Sequence, residues 1–164
     1  MLIIRSASPS DIGAVDSMLA RSYGPLLRAD YPPSILVVAL PRMARAQPGL
    51  LASGRYFVAE RDGMVVGAGG WSPENPRGGP VRDGLGHVRH VATDAREIRH
   101  GVGRAVMARV LDDAGRAGML RLSALSTLTA VPFYAALGFR EVGRLSLSFG
   151  TAISFPAVEM MREL

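Results

Sequence analysis

Apolar and polar positions change period several times along the chain, and each change marks an element. Leu2 to Ser6 holds Ile3 and Ile4 in a short apolar run and predicts a first strand. Ser8-Pro9-Ser10-Asp11 then reads as a helix start, with Ser8 as cap, Pro9 at the first position and Asp11 as the capping-box acid. Ile12, Val15, Met18 and Leu19 give that helix an apolar stripe. Tyr23 to Ser34 is broken by Gly24, Pro25, Pro32 and Pro33, and a second helical piece runs from Pro33 to Ala46, interrupted at Pro41. Arg55 to Glu60 alternates as a strand, Asp62-Gly63 makes a tight hairpin turn, and Met64 to Trp71 returns. Ser72 to Asp83 is rich in Pro and Gly and predicts a surface loop.

The second half is more regular. His87 to Thr93 has the β-branched content of a strand, and Asp94 to Arg99 is a polar connector. From Gly101 onward, Val102, Val106, Val110 and Ala114, with Met107 and Leu111, recur at helical spacing until Gly118 stops the helix. Met119 to Leu125 predicts the next strand. Thr129 to Leu137 predicts a short helix ended by Gly138, and Phe139 to Phe149 and Ala157 to Arg162 predict two closing strands. The order is β, α, α, β, β, β, α, β, α, β, β, without internal repeats, and residues 1–164 read as one domain.

Composition narrows the chemistry. The 164 residues suffice for one hydrophobic core, and 48% hydrophobic against 20% charged residues is a globular balance. Cysteine is absent, which removes disulfides, thiolate metal sites and a cysteine nucleophile. All 19 basic residues are arginine, so lysine-based chemistry, Schiff bases and a Walker lysine among it, is also removed. The net charge of +5 suits an anionic ligand. Nucleic acid is not expected, because the arginines are scattered with few aromatics among them. No apolar run is long enough to span a bilayer and the N-terminus has no secretory layout, so the expected location is the cytoplasm.

A strand that feeds a glycine turn and a helix is an anion-binding arrangement. The first N–H groups of a helix have no partner within it, and the dipole adds partial positive charge there. Gly101 and Gly103 sit at that turn, with Arg96, Arg99, His100 and Arg104 around it. The Gly-Lys-Ser/Thr ending of a Walker loop is missing, and Val106 stands where a dinucleotide fingerprint needs a small residue.

The turn resembles motif A of the GNAT superfamily, the acyl-CoA-dependent N-acyltransferases, in which Gln/Arg-x-x-Gly-x-Gly/Ala closes the fourth strand. Gly101 and Gly103 match the glycines, while Ile98 occupies the Gln/Arg position. A second stretch, Val131 to Phe139, resembles the family's motif B: Ala130, Tyr134, Gly138 and Phe139 match, with Thr127 where Asn is usual. The element order is also that of the family. The resemblance implies an α/β (α+β) domain with a mixed, mostly antiparallel central sheet flanked by helices and splayed between its fourth and fifth strands. It implies transfer of an acetyl group from acetyl-CoA directly to a primary amine, expected to be a small molecule. A non-catalytic acyl-CoA sensor of the same fold is the alternative. Because many relatives pair through their C-terminal strands, a homodimer is the expected assembly.

Site residues follow from the same resemblance. Tyr134 should lie near the coenzyme sulfur as the acid for the departing thiolate. Val91, Ala92 and Thr93 should meet the pantetheine arm, with the Val91 backbone as oxyanion donor. Arg99, His100, Gly101, Val102, Gly103 and Arg104 should hold the pyrophosphate, and Thr127 borders the coenzyme. For the base, His87 falls where some relatives carry a catalytic glutamate and ranks ahead of His90; Glu60 and Glu74 are fallbacks. Residues three apart on a regular strand face opposite sides, so only one histidine should enter the cleft unless a bulge intervenes, and a His87/His90 metal site is disfavoured. Tyr23, Tyr31 and Trp71 are the acceptor-site candidates, and Glu74 and Asp83 the acids that would attract a positive acceptor.

Overall fold

Three strands at the start of the sheet pair in sequence: Leu2–Ser6 (β1), Tyr56–Arg61 (β2) and Met64–Ser72 (β3). In the computed structural model, which describes residues 1–149 and 153–164, Leu85–Thr93 (β4) lies antiparallel to β3. Arg121–Thr127 (β5) is parallel to β4, and Arg140–Phe149 (β6) and Ile153–Glu163 (β7) close the far edge. The sheet order is β1-β2-β3-β4-β5-β7-β6, with β4–β5 the parallel pair. This is the mixed, mostly antiparallel sheet that the sequence resemblance implies.

Helices cover both faces. Ile12–Leu27 (α1) sets Val15, Met18 and Leu19 against Tyr56, Val58, Val65 and Ala68. Val102–Arg116 (α4) covers the opposite face, packing Val102, Val106, Met107 and Val110 on Phe57, Ala59, Val66, Leu122 and Ala124. Alternate residues of β2 therefore enter different clusters, which is why β2 and β3 are apolar on both sides. Pro33–Met43 (α2) packs toward β7 through Leu36 and Ala39 with Phe155. Val131–Ala136 (α5) follows β5. No helix among the described residues is long and apolar enough to cross a membrane.

Several boundaries differ from the sequence reading, each for a local reason. A one-turn helix at Pro48–Leu51 (α3) was not legible, because four residues carry no helical period. α1 continues through Gly24-Pro25 to Leu27, since the tertiary packing of Leu27 outweighs one lost hydrogen bond. β7 begins at Ile153 and includes Pro156, where the sequence reading starts it at Ala157. Its last pair with β5 is Thr127↔Ala157, so Pro156 lies just past the end of β5, where no ladder partner needs its missing N–H. The Tyr31 hydroxyl fills that position and donates to the Pro156 carbonyl at 2.6 Å.

Candidate active site

β4 and β5 are hydrogen-bonded only where Leu85–His87 meets Arg121–Ser123. Beyond that register the two strands carry no shared ladder, and a cleft opens between them. A bulge shapes its β4 wall. Between the pairs Ala68↔Ala92 and Gly70↔Arg89, β3 contributes Gly69 while β4 contributes both His90 and Val91. His90 takes φ +53°, a left-handed conformation uncommon outside glycine. Tyrosine hydroxyls hold the displaced carbonyls: Tyr56 donates to the His90 oxygen at 2.8 Å and Tyr23 to the Val91 oxygen at 2.9 Å.

The bulge also reverses the side-chain parity. Val88 belongs to the cluster on the α4 face, whereas Ala92, four residues on, belongs to the α1 face. His87 and His90 therefore lie on the same face, not on opposite faces as a regular strand would place them. They nonetheless occupy different cavities. His90 lines the larger one, of about 390 Å³, and His87 a smaller one of about 120 Å³ beside Asn75, Ser123 and Glu159. Val88 and Leu125 border both.

The two imidazoles differ in commitment. His90 Nε2 donates to the Met43 carbonyl at 2.7 Å, fixing the tautomer with its proton on Nε2. Its Nδ1 is buried without a partner, and burial holds the ring below the usual histidine range, so it is neutral. The ring stacks on Tyr23 with centroids 6.0 Å apart. Among the described residues His87 makes no side-chain hydrogen bond, and burial together with Arg89 lowers its pKa while Glu159 opposes. Among the described residues no group of three or more His, Asp or Glu side chains is arranged to hold a metal ion.

Tyr134 lies in the larger cavity, at the first turns of α5. Its ring is held edge-on by Phe133 and Phe139 at 5.2 and 5.3 Å, and its hydroxyl makes no hydrogen bond among the described residues. Burial raises its pKa above the ordinary phenol value, so it carries a proton throughout the neutral range. Val91, Ala92, Thr93 and Thr127 share this cavity. Thr127 Oγ1 accepts from the Ala130 N–H at 3.1 Å, closing the turn that leads into α5.

A second cavity of about 390 Å³ lies over the N-terminus of α4 and is lined by Arg99, Gly101, Val102, Gly103 and Arg104. The chain reaches it through two left-handed residues, Arg99 at φ +65° and Gly101 at φ +79°. The first intrahelical bond is Ala105 N to Gly101 O at 3.0 Å, so the N–H groups of Val102, Gly103 and Arg104 precede the helical ladder. His100 is exposed beside Glu97 at 3.4 Å and does not line this cavity. Thr93, Ile98 and Phe133 border both of these cavities, so the two adjoin along the same wall. A Cβ on Gly103 would stand 2.9 Å from Phe133 Cε1 and 3.2 Å from Thr93 Oγ1, so only glycine lets α4 approach this junction.

Of the acceptor candidates, Tyr23 lines the larger cavity and the other two do not. Tyr31 is a tie between segments: beyond its bond to Pro156 it accepts from the Leu128 N–H at 2.8 Å and stacks on Phe155 at 4.3 Å. Trp71 points to the α4 face, where its indole N–H donates to Asp113 at 2.8 Å. Glu60 is bound by Arg5 at 2.6 Å on the β1–β2 side of the sheet, and Glu74 and Asp83 are exposed outside the cavity lining. The sequence reading passed over Ser22, Leu26, Met43, Leu125, Thr129 and Phe133, which complete the wall. Ser22 and Leu26 are one helical turn apart on α1, but the burial of that stripe was indistinguishable from core.

Asp94 anchors the cradle to α1. Its side chain has 0% exposure and accepts from Arg21 Nε at 2.6 Å and from Arg96 Nη2 at 2.9 Å and Arg96 N at 3.0 Å. The Arg96 guanidinium, then Arg21, holds its carboxyl far below the usual range. A depressed folded pKa stabilises the protein above the unfolded value and is lost as pH falls toward and below it. Asp94→Asn should cost about 3 kcal/mol near neutral pH and weaken the acid dependence below about pH 4, as urea unfolding at neutral and acidic pH would show.

Residues 52–141, which span the cradle and most of the cavity lining, match the family model for the acetyltransferase (GNAT) domain. The chain belongs to the GNAT acetyltransferases. This GNAT chain is similar in fold to a GCN5-related N-acetyltransferase from Rhodopseudomonas palustris, at 18% identity and TM-score 0.82 over 99% of this chain and 95% of the other. It is also similar to the PaiA N-acetyltransferase of Thermoplasma acidophilum in complex with coenzyme A, with 11% identity and TM-score 0.76 over 100% and 99% of the two chains. A ribosomal-protein-alanine N-acetyltransferase from Brucella melitensis gives 21% identity and TM-score 0.66 over 99% of each chain. No curated protein matches the GNAT chain in sequence.

Proposed function

We propose that this chain transfers an acetyl group from acetyl-CoA directly to the primary amine of a small molecule in the cytoplasm. One observation carries the reading. The glycine cradle at α4 adjoins, along the shared wall of Thr93, Ile98 and Phe133, the cavity that Tyr134 lines. The residues fit coenzyme A. Free helix N–H groups with Arg99 and Arg104 suit a pyrophosphate, and the polar backbone of Val91 to Thr93 suits the amides of a pantetheine arm. A protein of the same fold, the PaiA N-acetyltransferase, is itself in complex with coenzyme A.

Tyr134 is the acid in this reading. The neutral amine forms a C–N bond to the thioester carbon, the C–S bond breaks, the leaving sulfur takes the phenolic proton, and the surplus proton on nitrogen restores the phenol. A sensor that binds acyl-CoA without turnover is the second reading, and what favours it is the lack of a reachable base beside Tyr134. Release of free thiol from acetyl-CoA, followed across alkylamines, arylamines, amino acids and short peptides, separates the two. Amine-dependent release supports the enzyme; tight acetyl-CoA binding without release from any of them supports the sensor.

A further inference from the structure

We propose that the acceptor is a weakly basic aromatic amine, bound and attacked as the neutral molecule. The inference rests on the acyltransferase reading above and names the acceptor class within it.

The walls of the larger cavity supply the first argument. Leu26, Leu27, Met43, Val88, Leu125 and Phe133 make it predominantly apolar, and no carboxylate lines it among the described residues. An alkylammonium entering such a site would lose its hydration without gaining a counter-charge. The acids nearby lie outside its lining and accept hydrogen bonds from other groups. Asp16 accepts from the Ala46 N–H at 2.6 Å and Asp30 from the Thr129 hydroxyl at 2.6 Å. Asp94 is held by Arg21 and Arg96, and Glu97 by Arg61.

The second argument is independent of charge. An ammonium must lose a proton before its nitrogen can attack, and among the described residues no carboxylate and no free imidazole lines this cavity to receive it. His90 Nε2 is bound to the Met43 carbonyl, and its Nδ1 has no accessible surface. His87 lines the neighbouring cavity, which shares Val88 and Leu125 with this one, and is not among the residues lining the cavity itself. A neutral arylamine needs no such base. Its lone pair forms the C–N bond as the C–S bond breaks, the sulfur takes the Tyr134 proton, and the surplus proton on nitrogen returns to the phenolate. Amide and free thiol are produced and Tyr134 is regenerated. The Tyr23 ring, stacked with His90, and the half-buried Phe133 ring offer aromatic surface to such an acceptor.

Two isomers of equal size test this: 4-ethylaniline, neutral near neutral pH, and 2-phenylethylamine, a cation there. With acetyl-CoA and the intact protein, kcat/KM from thiol release should favour 4-ethylaniline by about tenfold or more. Leu26→Glu, which adds a carboxylate to the cavity wall, should narrow that ratio by about tenfold. Equal or faster turnover of 2-phenylethylamine overturns the inference, as does release only with amino acids or peptides; in both cases the acetyltransferase reading survives. Faster turnover of hexanoyl-CoA than acetyl-CoA would assign the apolar walls to the acyl chain and also overturns it. Release with no amine of any class, with acetyl-CoA bound, fails the acetyltransferase reading itself and the inference with it.

Discussion

Tyr134→Phe is expected to lower kcat for amine acetylation by about 10²-fold or more, the contribution typical of a positioned acid. The substitution is unusually clean. The hydroxyl makes no hydrogen bond among the described residues, while the ring packs edge-on between Phe133 and Phe139. Phenylalanine keeps that packing, so thermal stability should stay within about 0.5 kcal/mol of the parent. KM for acetyl-CoA should stay within about a factor of two, because the lost interaction forms only as the thiolate departs. Steady-state kinetics with thermal unfolding checks all three. An unchanged kcat with a good acceptor would remove Tyr134 from the chemistry and leave it a packing residue.

Gly103→Val is expected to weaken coenzyme A binding by about 10²-fold, close to 3 kcal/mol. The branched side chain would occupy the junction where Thr93 and Phe133 border both cavities, a space in which even a Cβ stands 2.9 Å from Phe133. It would also cover helix N–H groups that an anion must approach closely. Gly115, on the same helix, is the matched control. It has nothing within 4 Å of an added Cβ, so Gly115→Ala should leave binding intact and slightly stabilise α4. Calorimetric titration of both variants with coenzyme A compares the cradle with ordinary helix surface. Equal affinity in both would place the pyrophosphate elsewhere.

The legible part of this chain was the part governed by period and by glycine. Six apolar residues at helical spacing announced α4, and Gly101 and Gly103 announced the turn before it, because left-handed and close-approach backbone admits few other residues. The histidines show where sequence stops. Counting residues along β4 is reliable only while the ladder is regular, and nothing in Arg89-His90-Val91 signals that His90 adopts positive φ and inserts an extra residue. What permits the bulge lies across the sheet, in Gly69, where a Cβ would come within 2.9 Å of Val91 Cγ2. The aromatic candidates failed to gather for a related reason. Tyr31 and Trp71 have the composition of a binding wall, but each spends its polar tip on a distant partner, Pro156 and Asp113. Only tertiary structure brings those partners near.

The most direct test of the central claim is acetyl-CoA-dependent thiol release in the presence of an amine panel that includes aryl, alkyl, amino-acid and peptide acceptors. The acetyltransferase account predicts saturable release that depends on the amine, falls about 10²-fold in Tyr134→Phe and is lost at low coenzyme concentration in Gly103→Val. Acetyl-CoA that binds at the cradle yet releases no thiol with any acceptor would contradict it.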